Sequence, residues 1–147
     1  MDTTVQSTQT TYDTLGRAEM ITSYSDNACT TAVNEVVYEY DDFGALAKEY
    51  QEHEGAKDGS TLSVAYAYDM TVSGGEYTKA YRLKSVTYPN GRLVHYTYGS
   101  SGSRAEVLSR LDAIQDNSGG DPGDTLAAYS WNGAGRMVVE DFQQPDV

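Results

Sequence analysis

Aromatic and polar positions alternate along much of the chain. Tyr38 and Tyr40, Tyr66 and Tyr68, Tyr96 and Tyr98, and Tyr129 and Trp131 each stand two residues apart. That spacing puts both rings of a pair on one face of a β-strand, whereas on a helix they would point about 200° apart. The pattern predicts strands carrying an aromatic pair on one face. Ahead of Tyr12 the earlier place of the pair is taken by Thr10.

Each pair leads into the same punctuation. Tyr12-Asp13-Thr14-Leu15-Gly16-Arg17 aligns with Tyr40-Asp41-Asp42-Phe43-Gly44-Ala45 and with Trp131-Asn132-Gly133-Ala134-Gly135-Arg136. Two weaker copies lie between them, one at Tyr68-Asp69, where a longer segment replaces the turn, and one at Tyr98-Gly99. Asp or Asn followed three residues later by Gly fits a type I turn, in which the side chain accepts from nearby backbone donors and Gly tolerates positive φ. Tyr88-Pro89-Asn90-Gly91, followed by Arg92, meets the same demand with Pro in second place. Exit strands are expected over 17–23, 45–50, 92–98 and 136–142. The chain thus reads as an all-β array of serial hairpins, a single array over residues 1–147 of about five units anchored near 12, 40, 68, 98 and 131.

One segment offers two readings. Ser103-Arg104-Ala105-Glu106 is a capping box with apolar residues at helical spacing after it. Yet 81–86 and 109–114 match position for position, and the first of these runs into the Pro-Asn-Gly turn. The repeat makes strand the expectation there. Residues 52–60, 70–75 and 116–124 are rich in Gly, Ser, Asp and Asn and read as loops.

Composition changes the picture of the core. Leu, Ile, Val and Phe supply only 24 of the 147 residues, while there are 13 tyrosines and one tryptophan. Tyrosine is therefore expected to build most of the core, each ring burying roughly 150–250 Å² while its hydroxyl finds a partner. The net charge of -12 argues against nucleic acid and anionic membranes as partners, because affinity for either needs clustered Lys and Arg. The one cysteine, Cys29, excludes an internal disulfide and reads as a small core residue. No run approaches the roughly 20 apolar residues of a membrane-spanning helix. The residues after Met1 do not form a secretory signal, so the chain is expected to be cytoplasmic or an internal piece of a longer one.

Candidate chemistry is sparse. His53 and His95 fall in different units without a metal-ligand or nucleophile motif, so His53 reads as a loop residue and His95 as a sheet residue. Asp116, Asp121 and Asp124 lie in a Gly-rich acidic stretch and are weak calcium candidates, matching neither common calcium-loop pattern. Arg17, Arg92 and Arg136 follow turn glycines, and they are expected to face the carboxylates of Asp13, Asp41 or Asp69 in neighbouring units. The aromatic rows have two readings, cross-strand pairs that hold the sheet together or exposed rings that stack on sugar. No enzyme and no cofactor is expected.

Tyr-Asp-x-x-Gly-Arg, recurring behind Tyr-x-Tyr strands, resembles the YD repeats of the Rhs proteins, whose relatives include Tc toxin shell components and teneurins. The resemblance covers about residues 10–142. It implies a β-ribbon that spirals into part of a shell or surface scaffold, secreted or at the cell surface, which in toxin relatives encloses a C-terminal cargo. Asp121-Pro122-Gly123-Asp124 departs from the family's Asp-Pro-x-Gly self-cleavage segment, since Gly follows Pro directly, so processing is not carried over. The partners implied are further repeats of a parent chain or copies of this one joined through open sheet edges.

Overall fold

The computed structural model describes residues 4–69, 72–73, 76–77, 81–117, 122–133 and 135–143. The chain is all-β. Its strands are β1 (Ser7–Tyr12), β2 (Ala18–Tyr24), β3 (Ala32–Tyr40), β4 (Leu46–Glu52), β5 (Leu62–Asp69), β6 (Val72–Ser73), β7 (Glu76–Tyr77), β8 (Arg82–Thr87), β9 (Leu93–Thr97), β10 (Ala113–Gln115), β11 (Thr125–Asn132) and β12 (Arg136–Phe142), with one helical turn, α1 (Arg104–Val107). Ten strands form an antiparallel sheet in hairpin order, β1-β2-β3-β4-β5-β8-β9-β10-β11-β12, and β6 pairs with β7. Among the described residues no helix is long and apolar enough to cross a membrane.

The chain divides into two compact units, Met1–Ala65 and Tyr66–Val147, and the division falls inside β5. In the first unit, the turn between β1 and β2 is closed by the Gly16 N–H donating to the Asp13 carbonyl at 3.0 Å and the Asp13 N–H donating to the Arg17 carbonyl at 2.9 Å. Asp13 Oδ1 accepts from the N–H groups of Leu15 and Arg17. Asp41 repeats this between β3 and β4, accepting from Phe43 and Ala45. Gly16 and Gly44 have φ of +80° and +88°, and one-residue bulges precede both turns, at Thr11/Tyr12 and Glu39/Tyr40. A type I turn closed by a left-handed glycine is the hairpin geometry that such a bulge accompanies.

The most buried residues of this unit are polar. Thr22, 2% exposed, faces buried Glu35 across β2 and β3, and its hydroxyl donates to the Glu35 carboxylate at 2.7 Å. Glu35 also accepts from the Lys57 backbone N–H at 2.9 Å, which ties the loop after β4 onto β3.

In the second unit, Tyr88-Pro89-Asn90-Gly91 joins β8 to β9 with the same closure, Gly91 N–H to the Tyr88 carbonyl and Tyr88 N–H to the Arg92 carbonyl, both 2.9 Å. Val86 and Val94 face one another across this hairpin and are buried, as is Ala127 opposite Ile114. Among the described residues the buried apolar positions are thus small aliphatic residues rather than tyrosines. Most described tyrosines are half-buried, because a ring lying along a single sheet keeps one edge toward water.

Two expectations about elements need correction. The capping box is real: Ser103 is the N-cap, its hydroxyl accepts from the Glu106 N–H at 3.2 Å, and α1 makes one turn. The strand expected from the repeat resumes only at Ala113–Gln115. Within the 70–75 segment read as loop, Val72–Ser73 pairs with Glu76–Tyr77 as β6 and β7.

Candidate functional site

Antiparallel pairing fixes which residues face one another. Counting along β2/β3 from Met20↔Val37 brings Arg17 opposite Tyr40. From Ser85↔His95 the count brings Arg82 opposite Tyr98, and from Ala113↔Ala128 it brings Arg110 opposite Trp131. In all three hairpins an arginine at or up to three residues before the start of the outgoing strand faces the aromatic anchor at the end of the returning strand.

The side chains use this register in the same way each time. The guanidinium of Arg17 lies 4.0 Å from the Tyr40 ring centre, that of Arg82 lies 4.3 Å from Tyr98, and that of Arg110 lies 5.8 Å from Trp131. The polar tip of each ring donates to the carbonyl of the residue after the arginine. Tyr40 Oη reaches the Ala18 carbonyl at 2.8 Å, Tyr98 Oη the Leu83 carbonyl at 2.7 Å and Trp131 Nε1 the Leu111 carbonyl at 2.7 Å. A clamp results, cation over ring and ring tip to backbone, with each half setting the position of the other.

The remaining guanidinium nitrogens explain what each copy keeps and lacks. Arg17 Nε donates to Asp13 Oδ2 at 2.7 Å, within its own turn. Arg82 Nη2 donates to Asp69 Oδ2 at 3.4 Å, so Arg82 is the partner of the Tyr68-Asp69 copy across the longer segment. Gly99 stands where an aspartate would serve Arg110, and Arg110 Nη2 instead donates to the Gly133 carbonyl at 2.6 Å. Arg82 Nη1 donates to the Glu106 carbonyl at 2.9 Å at the end of α1.

These findings revise the expected pairing of arginines with carboxylates. Asp13 is bound by its own unit's arginine, and the ring of the following hairpin receives the cation. Among the described residues Arg92 makes no such contact, because its turn lies at the far end of the β8/β9 hairpin from the clamp. Arg82 and Arg110 carry two of the three clamps and do not follow turn glycines, which is why the turn motif did not reveal them. Tyrosine-on-tyrosine pairing across strands is found between Tyr68 and Tyr81 but not in the registers around Tyr38, Tyr96 and Tyr129. In the registers around them, Tyr38 faces Glu49, Tyr96 faces Ile114 and Tyr129 faces Glu140. Tyr68 instead stacks on Tyr81, with ring centres 4.7 Å apart.

Clefts lie beside the second and third clamps. One of about 260 Å³ is lined by Asp69, Arg82, Lys84, His95, Tyr96 and Tyr98 among others, and one of about 430 Å³ by Arg104, Arg110, Asp112, Tyr129 and Trp131 among others. In the first, the Asp69 carboxylate is engaged by Arg82 and the Tyr98 hydroxyl proton is directed at a backbone carbonyl. Burial pushes the Tyr96 and Tyr98 phenols above their ordinary range, for Tyr98 against the opposing pull of Arg82. The cleft is lined by groups already committed to the fold.

His53 is exposed in the loop after β4, and His95 sits in β9 facing Ser85 on one side and Gln115 on the other. Of the calcium candidates, Asp121 lies outside the described residues. The Asp116 backbone N–H donates to the Asp124 carbonyl and the Asp116 carbonyl accepts from the Gly123 N–H, so backbone contacts close that loop. Among the described residues there is no group of three or more His, Cys, Asp or Glu side chains placed to hold a metal ion. Cys29 is half-buried with φ of +56°, 3.4 Å from Ser7 Oγ. Glu35 was not singled out by sequence. Its alternation with the apolar residues of β3 was the available signal, because it placed a carboxylate on a strand rather than in a loop. No protein-family model matches the chain, and it has no match among curated proteins.

Proposed function

We propose that the chain is a non-catalytic architectural module, a run of YD-type hairpins that serves as part of a shell or surface scaffold. The observation that carries this reading is the threefold recurrence of the arginine–aromatic clamp at one register. A ring used for adhesion offers a free face and a free polar tip to its ligand. Here the anchor rings have a cation over one face, and their tips are bonded to backbone. The resemblance to Rhs/YD proteins supports the same direction, with an enclosed cargo and a secreted or surface location as what it implies for a longer chain.

The test uses the single tryptophan, which sits in a clamp. Titration with a panel of oligosaccharides, followed by Trp131 fluorescence, is expected to give no saturable change. A saturable response that Arg110→Ala abolishes would instead make the rings an adhesive surface.

A further inference from the structure

The clamp also describes its own unfinished halves. β1 is a returning strand that ends on an anchor, Tyr12, which is 63% exposed. β12 is an outgoing strand that begins with an arginine, Arg136, at the position equivalent to Arg17. Among the described residues no hydrogen bond, ion pair or ring contact engages the Arg136 side chain. All seven residues of β12 are exposed, and Met137, Val138, Val139 and Phe142 range from 42% to 62%. β1 and β12 are also the two terminal strands of the sheet order, each with one described strand neighbour.

Resting on the clamp reading above, we infer that β12 of one copy receives β1 of a second copy as its antiparallel neighbour, with Arg136 facing Tyr12. The register follows from the three internal hairpins. With Arg136 opposite Tyr12, Val138 faces Thr10, Val139 faces Gln9 and Glu140 faces Thr8, while the Tyr12 hydroxyl comes level with the Met137 carbonyl. The strands match in length, six residues against seven. β1 bears no charge to set against Glu140 and Asp141, and it supplies β-branched threonines of the kind that pack well on a pleated face. Neither strand carries the lysine or proline with which sheet edges are commonly blocked against pairing. Because the two surfaces differ, the contact is head-to-tail and each new copy presents the same acceptor edge again.

Light scattering across a size-exclusion peak tests this over about a hundredfold range of concentration. The wild-type mass is expected to rise from 16.0 kDa through and beyond the dimer. Tyr12→Ala and Arg136→Ala, both at exposed sites and expected to keep the wild-type circular-dichroism spectrum, are each expected to remain monomeric or nearly so. An equimolar mixture of the two variants retains one competent β12 and one competent β1, so it is expected to form dimers and stop there. Tyr12→Phe keeps the ring and loses the hydroxyl, and is expected to fall between wild type and Tyr12→Ala.

A wild-type chain that stays monomeric throughout overturns the inference. So does a stable dimer unaffected by Tyr12→Ala, which would assign β12 to pairing with itself. Failure of the underlying clamp reading is separately visible, since it appears as an unchanged unfolding midpoint in Arg110→Ala whatever the mass.

Discussion

At the scale of single residues the arginines divide by what lies over them. Arg110 is only 9% exposed, and the Gly133 carbonyl and the Trp131 ring replace part of the water its guanidinium loses, while Nε is buried without a hydrogen-bond partner among the described residues. Arg110→Ala removes both contacts and the packing of the aliphatic stem, so it is expected to destabilise by about 2 kcal/mol. Arg110→Lys keeps the charge but not the planar fork, and is expected to recover about half of that loss. Arg136→Ala, on an exposed side chain, is expected to change stability by less than about 0.5 kcal/mol. Denaturant unfolding of the three variants checks the order. Equal midpoints for Arg110→Ala and Arg136→Ala would remove the clamp from the account of stability. The aromatic anchors were legible in the sequence because their spacing of two is a local signal. Their arginines were only partly so. Arg17 follows its glycine directly, whereas Arg82 and Arg110 are separated by inserted segments from the Tyr68 and Tyr98 that precede them in the repeat, and only strand register reveals that they clamp Tyr98 and Trp131.

At the scale of elements, hairpin turns and the single helical turn show how local and long-range signals share the chain. The cap prevailed over the expected strand at 104–107, and the repeat is met as strand only from Ala113. Ser103 caps α1 as its local sequence requires, while the match of 109–114 to 81–86 is honoured by β10 and by the parallel roles of Arg82 and Arg110. Sequence could not say where one gives way to the other, because a four-residue helix has little intrinsic stability and its extent depends on tertiary contacts such as Arg82 on the Glu106 carbonyl. The β1/β2 and β3/β4 turns give a sharper test. Gly16 and Gly44 share a left-handed backbone, but an added Cβ at Gly16 meets open space, and at Gly44 it would lie 3.2 Å from Arg17 Nη1. Gly16→Ala is therefore expected to cost about 1–2 kcal/mol for the backbone alone. Gly44→Ala is expected to cost more, and the excess should vanish in an Arg17→Ala background. Additive effects in that double-mutant cycle would mean that Arg17 does not press on the following turn.

At the scale of the whole molecule, pH acts through groups whose shifts have opposite signs. Backbone donation from Arg17 holds the Asp13 carboxyl below its ordinary range, helped by the Arg17 side chain and outweighing partial burial. At Asp26 burial opposes the shift, but the N–H groups of Thr31 and Thr30 prevail. The Thr61 hydroxyl lowers Glu52, and the Ser60 backbone lowers Asp58. For such groups the unfolded chain binds more protons than the folded one in acid. Their stabilisation is fully present above the unfolded values of 3.8 and 4.5 and is lost as pH falls through the lower folded ones. Tyr96 and Tyr98 act at the other end. Their folded pKa values are raised above 10.0, so their contribution is present below that pH and is lost as pH rises through the folded values. The net charge of -12 adds a repulsion that weakens as carboxylates protonate, which works against the loss in mild acid. The unfolding midpoint is therefore expected to form a plateau from just above the carboxylate values of 3.8 and 4.5 up to about pH 10, with a fall on either side. Asp13→Asn with Asp58→Asn should flatten the acid limb while leaving the alkaline one in place. Tyr98→Phe should do the reverse, and phenolate absorbance should rise sharply when the native protein is unfolded just above pH 10. An acid limb indifferent to the double Asn variant would show that these turn and loop carboxylates do not govern how the molecule meets acid.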